Sequence, residues 1–474
     1  MNLISDLLLP LGGSLISSLF DDGSTNLKQE GPNKDLSYPT DFNLTELTLS
    51  SSTLNRNIGG KLDLRPYLIE LNYFEDIFDN SVSGKLVLSD AVGIFKLGGL
   101  NGTETINMEF NSGVGGIIIK QKLHVYSVTD RHTDNSLNFE NYTLNLCSEE
   151  LIAAEKYRIS KSYKKKAINQ IIDDILKNHL KTNKNISIEP TMGSYDFVLP
   201  NKKIYETINW LSMYAQPSQS KVGADMLFYE NCVGLNFKSL QTLYTQKPVY
   251  TFVYNPKNVA TNMGVKTSNI YRIQVMNNFD TLGATSKGTL NNRLIALDPL
   301  TRKKVTQDFN YEEYKKNSKS MNKKDVTDIN SSSSSDYKDK QGKKLYESPP
   351  ENLESGPLRL MVTNSTQSKL QQIKNTPGSV QNDYFIERYL PNRIAQLFLS
   401  QYNRIKILVP GNSNLKIGDT VNIRIYETIP LNNEKNQKGE DVYLNGKYLI
   451  TAIRHIINVT RYTTVIELSK ESIA

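Results

Sequence analysis

Short runs of alternating apolar residues constrain this chain more than any other feature. Between residues 41 and 150 they recur as Leu44–Leu49, Tyr67–Tyr73, Gly84–Ser89, Ile106–Phe110, Ile117–Val128 and Tyr142–Cys147, with Gly, Asn and Asp between them. A period of two sends one set of side chains to one face of a half-buried strand. Residues 41–150 therefore predict a small antiparallel barrel or sandwich. His124 falls mid-strand and reads as a half-buried sheet residue, with no partner at ligand spacing.

The period changes after residue 150. Ile168, Ile171, Ile172, Ile175, Leu176 and Leu180 recur at three and four residues, the apolar stripe of an amphipathic helix. His179 falls in its last turn, where a cation suits the helix dipole. Lys164–Lys166 beside it read as solvated surface. A second helix is predicted over Lys203–Ala215, with Ile204, Ile208 and Leu211 on one face, Trp210 in the core, and Gln216-Pro217 closing it. Ala224–Glu230 and Leu235–Leu240 predict a hairpin across Asn231–Gly234, with Cys232 a bystander in the turn. Residues 151–262 thus read as an α+β insertion.

Strands return at Tyr271–Met276, Arg404–Val409, Thr420–Ile425, Lys447–Ile457 and Tyr462–Ser469, with a helix near Asn392–Gln401. They make a second β domain from 263–310 and 379–474. Residues 311–378 are polar and Ser/Lys-rich and predict a flexible linker or insertion, because they hold few side chains for a core. Residues 1–40 form an N-terminal arm. Its apolar clusters Leu7–Leu9 and Leu15–Phe20 are interrupted by Pro10, Gly12 and Gly13, too short to span a bilayer. Asp6 and the lack of a basic start disfavour a secretion signal. The arm packs on its own fold or on a neighbouring subunit. The fold class is α+β, mainly β: two small antiparallel β-barrels flanking an α+β insertion, plus a disordered polar insertion.

A weak internal repeat links the two β blocks. Leu71-Asn72-Tyr73-Phe74-Glu75-Asp76 precedes Ser83-Gly84-Lys85-Leu86 and Asp90. Met276-Asn277-Asn278-Phe279-Asp280 precedes Lys287-Gly288-Thr289-Leu290 and Asp298. The shared sketch is strand, aromatic-acidic turn, glycine, strand, with each glycine suiting a bulge or tight turn that opens a strand. Two such blocks per chain would give a trimer three true copies and six similar blocks, able to face threefold and sixfold partners.

Composition removes most chemistry. The 474 residues include only two Cys, Cys147 and Cys232, too few for a disulfide scaffold or a Cys-rich metal site. His124, His132, His179 and His455 are scattered, and no HExxH, EF-hand loop, P-loop or GxSxG pattern occurs. The formal net charge of +7 is spread out and reads as solvated surface; nucleic-acid motifs are absent. Glu149-Glu150 and Asp173-Asp174 are adjacent carboxylates, which rarely face one another as an acid/base pair requires. No catalytic, cofactor-binding or metal residue is nominated and no cofactor is expected. The aromatics fall in strand patterns and read as core, against a sugar-binding module. Which residues form subunit or spike interfaces is not legible at this level.

The run Lys202–Leu211, followed by Ala224–Asn231 and Gly234–Leu240, resembles baseplate hub proteins of T-even-like contractile-tailed phages. Leu415–Val421, Gly446–Ile450 and Ile466–Leu468 are similar to the closing barrel of tail hub and tail protein D relatives. The resemblance covers roughly 41–310 and 380–474, and its motifs are strand and turn patterns. It implies two tube-like barrels per chain and a homotrimeric, pseudo-sixfold ring at the distal end of the tail, in the virion baseplate. It implies synthesis in the host cytoplasm. Implied partners are a central spike protein, tail tube or tube-initiator proteins, other baseplate proteins and the tape measure protein. DNA would pass through the channel without sequence recognition, and no membrane insertion is implied. The alternatives are a hub of a non-phage contractile injection system and a tail-associated cell-wall hydrolase. A bore that passes DNA should not concentrate the positive charge, since cations there would hold phosphates.

Overall fold

The alternating runs form strands, and most of them join one sheet. The protein's computed structural model describes residues 41–473 apart from 52–59, 92, 95–99, 113–115, 135–138, 219–224, 255–267, 278–279, 299–301, 323, 326–357, 363–385, 427–440 and 442. The N-terminal arm lies outside the described residues.

The first block holds β1 (Phe42–Ser50), β2 (Lys61–Asp63), β3 (Leu68–Asp76), β4 (Ser83–Asp90), β5 (Thr105–Ser112), β6 (Ile119–Asp134) and β7 (Phe139–Ser148). The middle holds α1 (Glu149–Lys156), β8 (Arg158–Lys166), α2 (Ile168–Asp174), β9 (Asn185–Ile188), β10 (Tyr195–Lys203), α3 (Ile204–Ser212), β11 (Met226–Asn231), β12 (Gly234–Ser239), α4 (Leu240–Tyr244) and β13 (Tyr250–Tyr254). The last block holds β14 (Arg272–Asn277), α5 (Thr281–Ser286), β15 (Asn291–Asp298), β16 (Lys303–Asn310), α6 (Tyr311–Asn317), β17 (Lys324–Asp325), β18 (Leu358–Val362), α7 (Ile386–Leu399), β19 (Asn403–Pro410), β20 (Thr420–Ile425), β21 (Gly446–Asn458), β22 (Tyr462–Lys470) and β23 (Ser472–Ile473).

The large sheet runs β14-β19-β22-β21-β3-β4-β7-β6-β5-β1-β2, with β20 on β21 and β13 on β20. This corrects the expectation of two separate barrels. The mainly β class stands, but among the described residues no ladder closes either block into a barrel. The blocks are fused where β21 lies antiparallel to β3, from Ala452 opposite Asp76 to Asn458 opposite Glu70. The cause is the length of β21. Its first residues pair with β20 and its far end reaches into the other block. Alternation tells which face is buried, not which strand lies alongside.

Among the described residues four apolar cores result. Leu71, Tyr73, Leu86, Leu144 and Leu146 form the first, which Ile457 and Tyr462 from the last block complete. The second gathers Ile405, Ile407, Val421, Ile423, Ile466 and Leu468 with Leu227, Tyr229 and Leu243 of the middle. The third packs Ile168, Ile171, Ile172 and Ile208 on Phe197, Met226 and Phe228. A fourth, small core holds Leu290, Phe309, Tyr311, Ala395 and Leu399. Strand β11 is covered on both faces, because Met226 and Phe228 enter the third core while Leu227 and Tyr229 enter the second. Each such side chain stabilises by about 1.5–3 kcal/mol when fully buried.

The predicted helix over 168–180 begins as α2 and ends in a π turn, Ile175–Leu180, stopped by Lys181 in the left-handed region (φ 55°). Trp210 is half-buried at the edge of the third core, edge-on to Phe197 and Tyr214, rather than inside it.

The polar segment 311–378 is described only at 311–322, 324–325 and 358–362, and those parts are ordered elements. It opens with α6, β17 pairs with β23, and β18 runs parallel to β15. Met321 N–H donates to Glu471 Oε1 at 2.6 Å, and Asn322 N–H to Ser472 Oγ at 2.9 Å. Tyr311 and Met321 are sparse anchors, but each reaches a core that the rest of the chain supplies.

The repeat does not survive as strand pairing. β3 and β4 form a hairpin, whereas β14 pairs with β19 and β15 with β16 and β18. Gly84 does sit at the opening of β4, where a Cβ would come within 3.2 Å of the Asn72 carbonyl oxygen. Gly288 instead takes φ 67° after α5. Phe279 lies outside the described residues.

Candidate assembly surfaces

The adjacent carboxylates are all engaged in local structure. Asp173 pairs with Lys177 at 2.9 Å, one helical turn on. Asp174 accepts from Lys161 Nζ (2.7 Å), Tyr163 Oη (2.6 Å) and Asn178 Nδ2 (2.7 Å). Burial pushes its pKa up, but these bonds outweigh it and hold the carboxyl well below the usual range. Glu149 pairs with Lys122 at 3.3 Å. Glu150 pairs with Lys184 at 2.6 Å. Among the described residues no three His, Cys, Asp or Glu side chains could hold a metal ion. No described helix is long and apolar enough to cross a membrane.

His124 is half-buried in β6, and His179 lies in the last turn before Lys181. His455 is different. It stacks on Tyr73 (ring centroids 5.9 Å apart), meets Phe110 edge-on, and its Nδ1 lies 2.6 Å from Tyr462 Oη. Burial pushes its pKa down to about 3. A base with a depressed folded pKa contributes stability above its unfolded value, and that stability is lost as pH falls from about 6.5 toward 3. His455→Phe should therefore flatten the acid limb of a pH–stability curve read by thermal unfolding. An acid limb identical to the parent's would count against this role.

Cys232 is no bystander. Its N–H donates to Glu75 Oε1 at 2.6 Å, and its carbonyl accepts from Gln121 Nε2 at 3.0 Å. Glu75 also accepts from Tyr73 Oη (3.2 Å) and Ile417 N–H (3.3 Å). One carboxylate thus ties β3 of the first block, the β11–β12 turn and the loop before β20. Burial pushes Glu75 up to about 7 despite these bonds. Beside it, Glu230 accepts from Val82 N–H (3.2 Å) and, with Glu150, holds Lys184. Burial raises the Glu230 carboxyl in spite of that lysine. A third tie joins Ser112 N–H to Ser413 Oγ (3.1 Å) and Ile117 N–H to Asn414 Oδ1 (2.9 Å).

The sheet face away from the two main cores is mixed and largely polar. One registered row crosses both blocks: Thr463, Ile456, Asn72, Lys85, Asn145, Ser127. Arg454 donates to Asn72 Oδ1 (2.8 Å), pairs with Glu70 (3.4 Å) and lies over the Phe74 ring. Arg404 pairs with Glu467. Arg454 and Arg404 on this face thus have acidic partners, whereas Lys85 is exposed with no ion pair among the described residues. The end strand β14 differs. Val275 and Met276, at a register shift against β19, are 45% and 43% exposed, as is Tyr271 just before the strand (48%). Sequence reading located none of these surfaces, though Tyr271–Met276 carried their apolar signal.

No protein-family profile matches the chain. It is similar to a probable baseplate hub protein, gp334, of Vibrio phage KVP40, at 22% identity over 410 residues, covering 82% of this chain and 87% of that one. In fold it is similar to the 43 kDa tail protein of prophage MuSo2 from Shewanella oneidensis (11% identity, TM-score 0.50, 90% of this chain and 98% of that one). A tail protein from Neisseria meningitidis MC58 aligns over 90% of this chain and 96% of its own, at 10% identity and TM-score 0.49. The resemblance to phage baseplate hub proteins, first drawn from strand and turn motifs, is thus borne out by a relative that aligns over most of both chains.

Proposed function

We propose that the protein is a structural baseplate hub of a contractile-tailed phage, working as a homotrimeric, pseudo-sixfold ring in the virion baseplate. The relative's name supports the hub role. The observation that carries the ring is the end strand β14, which exposes Val275 and Met276 at one end of a sheet that crosses both blocks. A strand left so in a lone subunit is an aggregation liability, and a second copy removes it. Pairing one end of the sheet with the other end of the next copy is head-to-tail, and three copies close it into a ring. Each copy brings two β blocks, so the ring presents six and adapts a hexameric tail tube to a trimeric central spike. Tube-initiator, tape measure and other baseplate proteins would meet the same ring.

The ring leaves a channel for DNA during ejection. A lining by the paired, mixed-charge face would let phosphates pass, since few of its cations lack an acidic neighbour to release counterions against. Synthesis in the host cytoplasm and no membrane insertion complete the reading. The role is non-enzymatic: its carboxylates work in pairs and caps. Digestion of cell wall by the pure protein would reverse that point. A hub of a non-phage injection system has the same shape requirements, and neighbouring capsid genes separate the two.

The ring is tested by solution mass and particle imaging. The protein should form a threefold ring, and Val275→Lys with Met276→Lys should leave monomers with an unchanged far-ultraviolet spectrum. A stable ring in the double variant, or a monomeric parent, would falsify the β14 interface.

A further inference from the structure

We propose that the outer face of the β8–β10 ribbon docks an extended acidic segment of another protein. Residues 156–166 carry six cations, Lys156, Arg158, Lys161, Lys164, Lys165 and Lys166, and no acid. Three lysines of the ribbon are neutralised: Lys161 by Asp174, Lys202 by Glu206 and Lys203 by Glu155. Lys164, Lys165 and Lys166 are exposed and have no ion pair among the described residues. Lys165 takes φ 51°, a left-handed conformation, and its N–H is held by Asp196 Oδ1 at 2.7 Å. Lys164 and Lys165 are therefore presented at a fixed bulge of β8, with Lys166 beside them over the Tyr163 ring at 5.6 Å. An acidic partner is the charge complement of that bulge.

The occupant is a protein segment for two reasons. The rings within the two strands, Tyr163, Tyr195 and Phe197, point into the third core, and Tyr157 just before β8 is exposed but has Lys156 over its ring at 5.6 Å, so the ribbon offers no row of rings for stacking nucleotide bases. Val198 lies opposite Ser162 on the outer face and is 71% exposed, so a partner that reaches the lysines also covers an apolar side chain. In addition, among the described residues β8 and β10 pair only with each other, and each offers a strand edge to an extended chain. The competing view is that the lysines only guard those edges against self-pairing. This docking face is independent of the hub reading, and either can fail alone.

The test uses the full chain and three fluorescent probes: an alternating Glu-Val peptide, an oligo-glutamate of equal charge, and a short DNA duplex. The Glu-Val peptide should bind best, and its binding should weaken with salt. The variant Lys164→Ser, Lys165→Asn, Lys166→Ser should bind it about tenfold less, and Val198→Ser about threefold less, at unchanged melting temperature. Asn at 165 tolerates the left-handed backbone. If the triple variant melts early, the single change Lys164→Glu supplies the same reading. Equal binding by the variants, salt-independent binding, or tighter binding of the duplex overturns the proposal. Self-association of the triple variant without loss of peptide binding shows edge guarding and overturns it as well.

Discussion

Replacing Lys184 by Met should destabilise the protein by about 3–5 kcal/mol near neutral pH, the usual loss when one partner leaves a buried ion pair. Lys184 lies between the carboxylates of Glu150 and Glu230, and Glu230 is 1% exposed. Without the ammonium, two carboxylates face each other inside the protein. Thr182 Oγ1 still donates to Glu150 and Val82 N–H to Glu230, but neither carries charge. A carboxylate in that position takes up a proton, so much of the lost stability should return at pH 5. Denaturant midpoints of parent and variant at both pH values check this. A loss below about 1 kcal/mol, or one that is the same at both pH values, would show that the triad does not hold the middle of the chain to β4.

The second large effect belongs to Glu75. Glu75→Ala leaves the N–H groups of Cys232 and Ile417 and the Tyr73 hydroxyl buried without their acceptor. At about 1–3 kcal/mol per orphaned donor, the loss should reach roughly 3 kcal/mol or more. The pH dependence follows from a folded pKa of about 7, above an unfolded value near 4.5. An acid whose pKa is raised on folding stabilises fully below the unfolded value, and that contribution fades as pH rises through 7. The parent should therefore melt at higher temperature at pH 6 than at pH 8. Glu75→Gln should remove most of that difference. Burial also raises Asp76 and Asp225, each to about 6, and these add a smaller gain over the same limb. Because His455 opposes this trend below pH 6.5, the check is the comparison of the two: a pH 6 to pH 8 difference that is the same in the parent and in Glu75→Gln would show that Glu75 stays charged in the fold.

The strands were legible wherever one face is dry and the other wet. β20 matches its predicted span to the residue, because Val421, Ile423 and Ile425 alternate with polar residues. α3 begins within one residue of its predicted start. β8 and β10 were missed for a physical reason. Ile159 and Tyr163 are four apart, and the register shifts beside Phe197 and Leu199 break the period of two that a ribbon should show. Lysines then fill the gaps and read as solvated surface. Cys232 looked idle because its partner Glu75 is 157 residues away. The polar segment after residue 310 looked bare because its few anchors dock on cores built elsewhere. Periodicity reports how wet a neighbourhood is; it is silent on which distant strand provides it.

That silence has a consequence during synthesis. Asn72 of β3 and Arg454 of β21 are neighbours in the sheet but lie 382 residues apart in the chain. While the ribosome works through that interval, β3 keeps a bare edge, and the first core lacks Ile457 and Tyr462. A nascent first block is thus a half-built sheet with a sticky margin. Long-range closure of this kind is slow and exposes the chain to misassembly until the final strands emerge. Fragments truncated before residue 446 should carry that hazard permanently.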